Sequence, residues 1–361
     1  MRSADFLRNF RSLLAWGAVC ACLPAYGGQG TDVGTPRDSV VRVEFIFEQA
    51  PFAQCHASTS AETRGGLIAA WFGGTSEGRP DVGIWISRRE GSAWSPPIEV
   101  ATGRQADGTR LPCWNPVLHQ AGKGALLLFY KVGPSPSRWW GMMTSSPDGG
   151  RTWAAPRRLP DGIIGPVKNH PLALDDGTIL CGSSTEDSGW RVHFERTADL
   201  GATWEKTAPI NDGRDFGIIQ PALLRTGPSS VTALMRSTKG RIYLSKSGDA
   251  GRTWAPPAPT DLPNPNSGID ALTIRDGRHV LVYNPNERGR DRLSVAVSVD
   301  AVHWTPVLSL ENEPGQEFSY PALAQAADGT VHITYTWKRL RIKHVTVHPS
   351  RLIFPGEKVP R

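Results

Sequence analysis

Six residues able to hydrogen-bond or ionise, His56, Asn115, His170, Gln220, Asp270 and Tyr320, each open a short apolar run. The runs read HASTS, NPVLH, HPLAL, QPALLR, DALTI and YPALA. Histidine titrates near neutral pH and can remove or deliver a proton. A carboxylate such as Asp270 can take one up. A tyrosine hydroxyl, with an ordinary pKa of about 10, gives up its proton only beside a base or in a positive field. Further charge and aromatic rings concentrate in loops between the runs. One loop, Trp71 to Asp81, carries Glu77, Arg79 and Asp81; others run from Lys131 to Trp140, Ser184 to Asp187 and Asn284 to Arg292. Arg236, Arg290, Lys131 and Lys168 can gather positive charge, and a guanidinium grips a carboxylate bidentately as an ammonium does not.

Residues this far apart need a frame that brings them together, and a repeat supplies one. Ser146-Pro-Asp148-Gly-Gly150-Arg-Thr152-Trp153 recurs as Thr197-Ala-Asp199-Leu-Gly201-Ala-Thr203-Trp204 and as Ser247-Gly-Asp249-Ala-Gly251-Arg-Thr253-Trp254. Degenerate copies end at Trp94 and Trp304, so the five tryptophans lie 59, 51, 50 and 50 residues apart. The polar series keeps the same phase, preceding the tryptophans by 38, 38, 34, 34 and 34 residues. Each Asp-Gly pair fits a tight turn whose carboxylate accepts backbone N–H groups while glycine supplies the positive φ. These aspartates are structural and carry no catalytic role. Each unit divides into four short strands, with the Asp turn between the third and fourth. Six units predict an all-β, six-bladed β-propeller with Asp-box turns, an architecture that protects sheet edges by radial repetition. The alternating segment Val40–Phe47 is expected to complete the last blade.

Composition agrees. With 13 Trp and 39% hydrophobic residues in 361, the chain can bury a large core, and Gly 38 with Pro 30 marks it as rich in turns. The net charge of +6 is dispersed, without a Lys/Arg run, so nucleic-acid binding is not expected. Residues 1–27 combine three arginines, an apolar stretch and small residues, the pattern of a secretory signal peptide, with lipid anchoring at Cys22 an alternative. The remaining division is a linker at 28–39, the propeller at 40–350 and a tail at 351–361. The expected protein is exported, periplasmic or secreted, with no transmembrane segment. Cys55, Cys113 and Cys181 show no CxxC and no His at metal spacing, so three buried free thiols are expected, with no metal and no cofactor.

The turns resemble the Asp-boxes, or BNR repeats, of the sialidase (neuraminidase) superfamily over roughly residues 40–345. The segments GGTSEGRPDVGIW, CWNPVL and KVGPSPSRWW are similar to those of exported BNR-repeat proteins grouped with the sialidases. The resemblance implies an arginine triad for the substrate carboxylate, a tyrosine nucleophile paired with a glutamate, and an acid/base carboxylate on an early loop. Tyr320 in Phe318-Ser-Tyr-Pro-Ala-Leu matches the nucleophile. Arg236 matches the second arginine and Arg290 the third, with Arg288 and Arg292 as register alternatives. Glu77, ahead of Asp81, lies where the acid/base is kept. Two positions depart from the plan. Ala53 stands where the first arginine belongs, and Gln220 stands where the glutamate should activate the tyrosine. Asp270, His170 or the arginine field must then assist Tyr320.

The resemblance therefore implies a glycosidase acting on a terminal acidic sugar, sialic-acid-like or uronic, with a glycan as partner. His56, Asn115, Gln220, Lys131, Lys168, Arg79 and Trp114 would line its binding site beside Arg236 and Arg290. Trp71, Trp139 and Trp140 offer further faces for sugar rings. Two other readings stay open: a lyase or rhamnosidase-like enzyme working through His56 and His170, and a non-catalytic glycan-binding propeller.

Overall fold

The computed structural model describes residues 40–354 apart from Lys123. The expected signal peptide, the linker at 28–39 and residues 355–361 of the tail lie outside the described residues. Nearly all regular structure is β, in six small sheets. Each blade begins with its innermost strand, respectively Gln54–Thr63, Cys113–Gln120, Leu172–Ala173, Ile218–Arg225, Asp270–Thr273 and Phe318–Gln325. Chain and space run in the same order within a blade, so neighbouring strands are antiparallel. The exception closes the ring. Val40–Phe45 pairs with Arg341–Val347, joining the chain's first strand to its last blade. Among the described residues no helix is long and apolar enough to cross a membrane.

The second strands are almost wholly buried, as in Leu126–Val132, Val231–Ser237 and His279–Tyr283. Their apolar side chains fill the seams between successive blades, and this is where the core lies. Cys55, Cys113 and Cys181 are buried free thiols, as expected.

The turns behave as their residues require. Asp249 Oδ1 accepts N–H bonds from Arg252 at 3.0 Å and Thr253 at 2.9 Å, and Oδ2 accepts the Thr253 hydroxyl at 2.6 Å. Asp148 and Asp199 repeat this arrangement. The Thr203 hydroxyl and N–H bonded to Asp199 hold its carboxyl down to a pKa of about 2. Gly251, at φ 80°, takes the left-handed step that lets the turn close. Each tryptophan then packs on the preceding blade: Trp254 stacks on Phe194 with centroids 3.6 Å apart, and Trp204 meets Phe129 edge-on at 6.2 Å.

A second feature repeats at the axis. In blades 1, 2, 4 and 6 the inner strand skips two residues in its pairing: His56 then Thr59, Trp114 then Val117, Ile219 then Ala222, Ser319 then Ala322. The first residue inside each bulge is left-handed: Ala57 at φ 54°, Asn115 at 35°, Gln220 at 59° and Tyr320 at 53°. Such a conformation is costly for a residue with a side chain and clusters at functional sites. The register corrects one sequence expectation. Ala57, not His56, is the equivalent of Asn115, Gln220 and Tyr320, so His56 reaches the axis from one position earlier.

Candidate active site

Tyr320 is the hub of the axial pocket, and its bulge turns the side chain out of the sheet's regular alternation. Arg236, at the end of the second strand of blade 4, donates from Nη1 to the Tyr320 hydroxyl at 2.6 Å and to Gln220 Oε1 at 3.2 Å. Gln220 Nε2 lies 3.4 Å from the same hydroxyl. Arg236 also donates from Nε to Asn266 Oδ1 at 2.9 Å. Its guanidinium sits between two rings, 5.2 Å from Trp190 and 5.7 Å from Tyr320. Arg236 forms no ion pair among the described residues, so its charge is available to an incoming anion.

Of the three arginines in the blade 5 loop, Arg290 turns inward, 5.8 Å from the Tyr320 ring, while Arg288 and Arg292 remain exposed. Its Nη1 pairs with Glu317 at 3.2 Å and its Nη2 donates to the Asn266 carbonyl at 3.1 Å. Lys168 is buried beneath the hub, 5.9 Å from the same ring, and donates to the carbonyls of Ile269, at 2.8 Å, and Pro321. Burial lowers its pKa to about 8, with Asp270 opposing that fall and Arg236 adding to it. Gly268 makes room for the phenol: a Cβ there would meet the Tyr320 ring at 3.2 Å.

His56 packs against Tyr320 with ring centroids 4.1 Å apart and bonds Thr336 Oγ1 through Nδ1 at 2.9 Å. Its pKa falls well below the usual value because it is buried and because Arg339, Arg290, Arg236 and Lys168 all repel its proton. At neutral pH it is uncharged and a poor proton acceptor.

Arg339 is absent from the polar series that opens the inner strands. It lies in the turn after the second strand of blade 6, at φ 62°, and its Nε pairs with Glu317 at 3.0 Å. Its Nη1 reaches across the ring closure to Glu77 Oε2 at 2.7 Å. A third guanidinium thus stands in the pocket, although Ala53 cannot supply one. The loops after the second strands of other blades carry Glu77 and Arg290, and the same rule applied to Lys338-Arg339 would have found it. Glu317 is held ionised: burial raises its pKa, but Arg339, the Ser319 hydroxyl and Arg290 together outweigh that. Glu186, in the loop Ser184–Asp187, also borders the pocket. Burial raises its pKa, with Arg236 and a bond to Trp190 opposing and Glu77 reinforcing the rise.

Several expected residues lie elsewhere. Asp81 folds back on its own loop, accepting the Thr75 N–H at 2.7 Å and the Thr75 hydroxyl at 2.5 Å. Partial burial raises its pKa, but those bonds outweigh it and keep the group ionised, the opposite of what a proton donor requires. Lys131 is fully buried between blades 2 and 3, where it donates to the Asn115 and Pro166 carbonyls. Desolvation takes its pKa to about 7 although Glu195 resists, and it leaves the binding set. Trp114 is buried and bonded to the Gly133 carbonyl at 2.8 Å, and Trp71 packs on Phe47 and Phe52. Both belong to the core, where large rings are most useful. Arg79 is exposed on its loop, and Asn115 is buried at its bulge.

Asp270 and His170 sit deeper in the channel. Asp270 Oδ2 accepts the Leu323 N–H at 2.8 Å and lies 3.4 Å from His170 Nδ1. Leu323 follows Tyr320 by three residues, so this pair braces the inner strands below the hub.

Comparison with known proteins bears on this geometry. A family model described as a BNR repeat-like domain matches residues 65–333. A curated protein named "Sialidase" from Bacteroides fragilis is 22% identical over 233 residues, 58% of this chain and 41% of that protein. The chain thus spans less than half the length of that relative. A solved structure of a protein of unknown function from Dyadobacter fermentans superposes with a TM-score of 0.71 at 16% identity, covering 86% of this chain and 98% of that one. A Hadza microbial sialidase also superposes with a TM-score of 0.71, at 18% identity and covering 83% and 66% of the two chains. At these identities the likeness is one of fold.

Proposed function

The chain belongs to the BNR repeat-like domain family, and from that premise we propose that it is a sialidase-type glycoside hydrolase that removes a terminal acidic sugar from a glycan. The observation that carries this reading is the Tyr320 hydroxyl 2.6 Å from Arg236, inside a pocket where Arg290, Arg339 and Lys168 add positive charge. A carboxylate on the sugar would be received by Arg236, which forms no ion pair among the described residues, flanked by Arg290 and Arg339. The anomeric carbon would then lie beside the Tyr320 oxygen.

In the proposed reaction the Tyr320 oxygen forms a bond to the anomeric carbon as the glycosidic C–O bond breaks. The phenol proton passes to solvent, and the Arg236 N–H meets the charge left on oxygen. Gln220 orients the hydroxyl but accepts no proton. The leaving oxygen takes its proton from a loop carboxyl. Glu186 suits that task because burial favours its protonated form; Glu77, fixed to Arg339, suits the later activation of water. Water then attacks the anomeric carbon, giving a proton to Glu77 as the bond to the Tyr320 oxygen breaks; that proton and one from solvent restore the phenol and the Glu186 carboxyl. Export to the periplasm or beyond is part of the same proposal.

The lyase-like reading needs a histidine that gains a proton near neutral pH, and the suppressed basicity of His56 argues against that residue in the role. The test is hydrolysis of sialyl, uronyl and rhamnosyl conjugates, with product stereochemistry followed by NMR. Release of an acidic sugar with retained configuration supports the proposal. An unsaturated uronyl product, or cleavage of neutral rhamnosides alone, overturns it.

A further inference from the structure

Three of the axial bulges share a sequence. In each the left-handed residue is followed by proline: Asn115-Pro116 in blade 2, Gln220-Pro221 in blade 4 and Tyr320-Pro321 in blade 6. Both residues of each pair lie outside the ladder, where the missing N–H of proline leaves nothing to satisfy. Their carbonyls still need donors. A buried side chain meets one carbonyl in every case. Lys131 Nζ reaches the Asn115 carbonyl at 3.5 Å, Asn169 Nδ2 donates to the Gln220 carbonyl at 2.9 Å, and Lys168 Nζ donates to the Pro321 carbonyl.

Lys168 and Asn169 are neighbours on the segment 164–169 that leads into blade 3, and that segment is itself fixed. Glu195 accepts the Ile164 and Gly165 N–H groups at 3.0 and 2.6 Å, Lys131 donates to the Pro166 carbonyl, and the Val167 N–H bonds the Gly182 carbonyl at 3.1 Å. The two bulges it holds differ in their donor. Gln220 has a neutral amide; Tyr320 has an ammonium that is 2% exposed. The second acceptor of Lys168, the Ile269 carbonyl at 2.8 Å, follows Gly268, the glycine that makes room for the Tyr320 ring. Lys168 therefore ties blade 5 to blade 6 where the phenol is seated. A strained left-handed residue persists only where its surroundings over-determine it.

We infer that Lys168 is a positioning residue: it fixes the Tyr320 bulge, and so aims the hydroxyl at Arg236 and the anomeric carbon, without touching the sugar. The assignment rests on the reading of Tyr320 as the nucleophile. The groups that face Lys168 are Asp270 of blade 5, Arg236 of blade 4, His56 of blade 1 and Tyr320 itself. With its pKa at about 8, Lys168 carries its charge below that pH and loses it above.

The test measures kcat and KM of wild type, Lys168→Met and Lys168→Gln from about pH 7 to 9, on sialyllactose or glucuronyl-lactose, whichever wild type cleaves. Lys168→Met should lower kcat about a hundredfold with KM changed less than about threefold, because misdirecting a reacting group costs rate rather than binding. Lys168→Gln keeps a neutral donor and should recover about tenfold of that loss. Wild-type kcat should fall as pH rises through about 8, and neither variant should show that fall. A raised KM with kcat kept would make Lys168 a substrate contact and overturn the assignment, as would a fall near pH 8 that survives in both variants. If wild type cleaves neither substrate, the nucleophile reading falls, and crystal structures of wild type and Lys168→Met judge the positioning alone. A Tyr320 that leaves its left-handed conformation or its bond to Arg236 in the variant supports it; an unmoved Tyr320 overturns it.

Discussion

The Asp turns at the periphery and the Tyr320 hub at the axis are both clusters of hydrogen-bonded polar side chains, satisfied at opposite sequence ranges. Asp249 is satisfied within four residues of itself, by Arg252 and Thr253. The hub joins Arg236 to Tyr320 across 84 residues and Glu77 to Arg339 across 262. Short-range satisfaction leaves nothing over for a ligand, since every acceptor is already filled by the turn. Long-range satisfaction is incomplete: Arg236 keeps an unpaired charge and Glu186 a raised pKa. Repetition built the scaffold, and departures from repetition furnished the site.

The sharpest way to break this contrast is to remove one oxygen from the hub. Tyr320→Phe should lower kcat on the active acidic substrate by about a thousandfold or more, with little change in substrate binding. Near wild-type turnover from that variant would dismiss Tyr320 as the nucleophile.

Arg339 tests whether a residue outside the strand-opening polar series completes the pocket. Arg339→Ala should weaken kcat/KM for acidic substrates by about thirtyfold, corresponding to roughly 2 kcal/mol. Arg339→Lys should restore part of that loss, because charge survives without the fork. An unchanged KM in Arg339→Ala would reduce the residue to a brace between Glu77 and Glu317.

A third experiment asks whether buried ionisable groups away from the axis serve only the fold. At the ring closure His332 Nδ1 bonds His344 Nε2 at 2.9 Å, and His344 Nδ1 bonds Glu44 at 3.0 Å. Burial lowers both histidines from 6.5 to about 4, with Arg89 assisting and Glu44 opposing. Between those values the unfolded chain binds protons that the folded chain refuses, so stability should fall as pH drops from about 6.5 to 4. The expected loss is on the order of 2 kcal/mol, read from denaturant midpoints across pH, and the double variant His332→Gln, His344→Gln should flatten the slope. An unchanged slope in that variant assigns the acid sensitivity elsewhere.

The smallest effect belongs to a single turn. Asp249→Ala should cost about 1–2 kcal/mol in thermal or chemical unfolding while kcat stays at the wild-type value. A large drop in kcat without unfolding would link rim and axis more tightly than this comparison allows.

Much of the molecule was legible from its sequence, for a physical reason. Turn chemistry, strand alternation and the tryptophan spacing are local, and a repeated local solution fixes blade count once its period is seen. Closure by Val40–Phe45 followed from the strand missing in the last unit. Tyr320 and Gln220 hold equivalent places in that period, Arg236 and Arg290 were expected from the resemblance to the sialidases, and the structure brings the four side chains together at the axis.

Tertiary structure alone decided the rest. Whether a side chain faces the channel or a seam depends on one residue of register, and the bulges set that register: His56 is displaced by one place, and Lys131 and Trp114 turn into the core. Arg339 meets Glu77 only because closure of the ring brings the end of the chain against its beginning. Residue types and spacing specify what each blade is made of, but the charge, burial and partners of a group at the axis are the sum over all the blades that meet there.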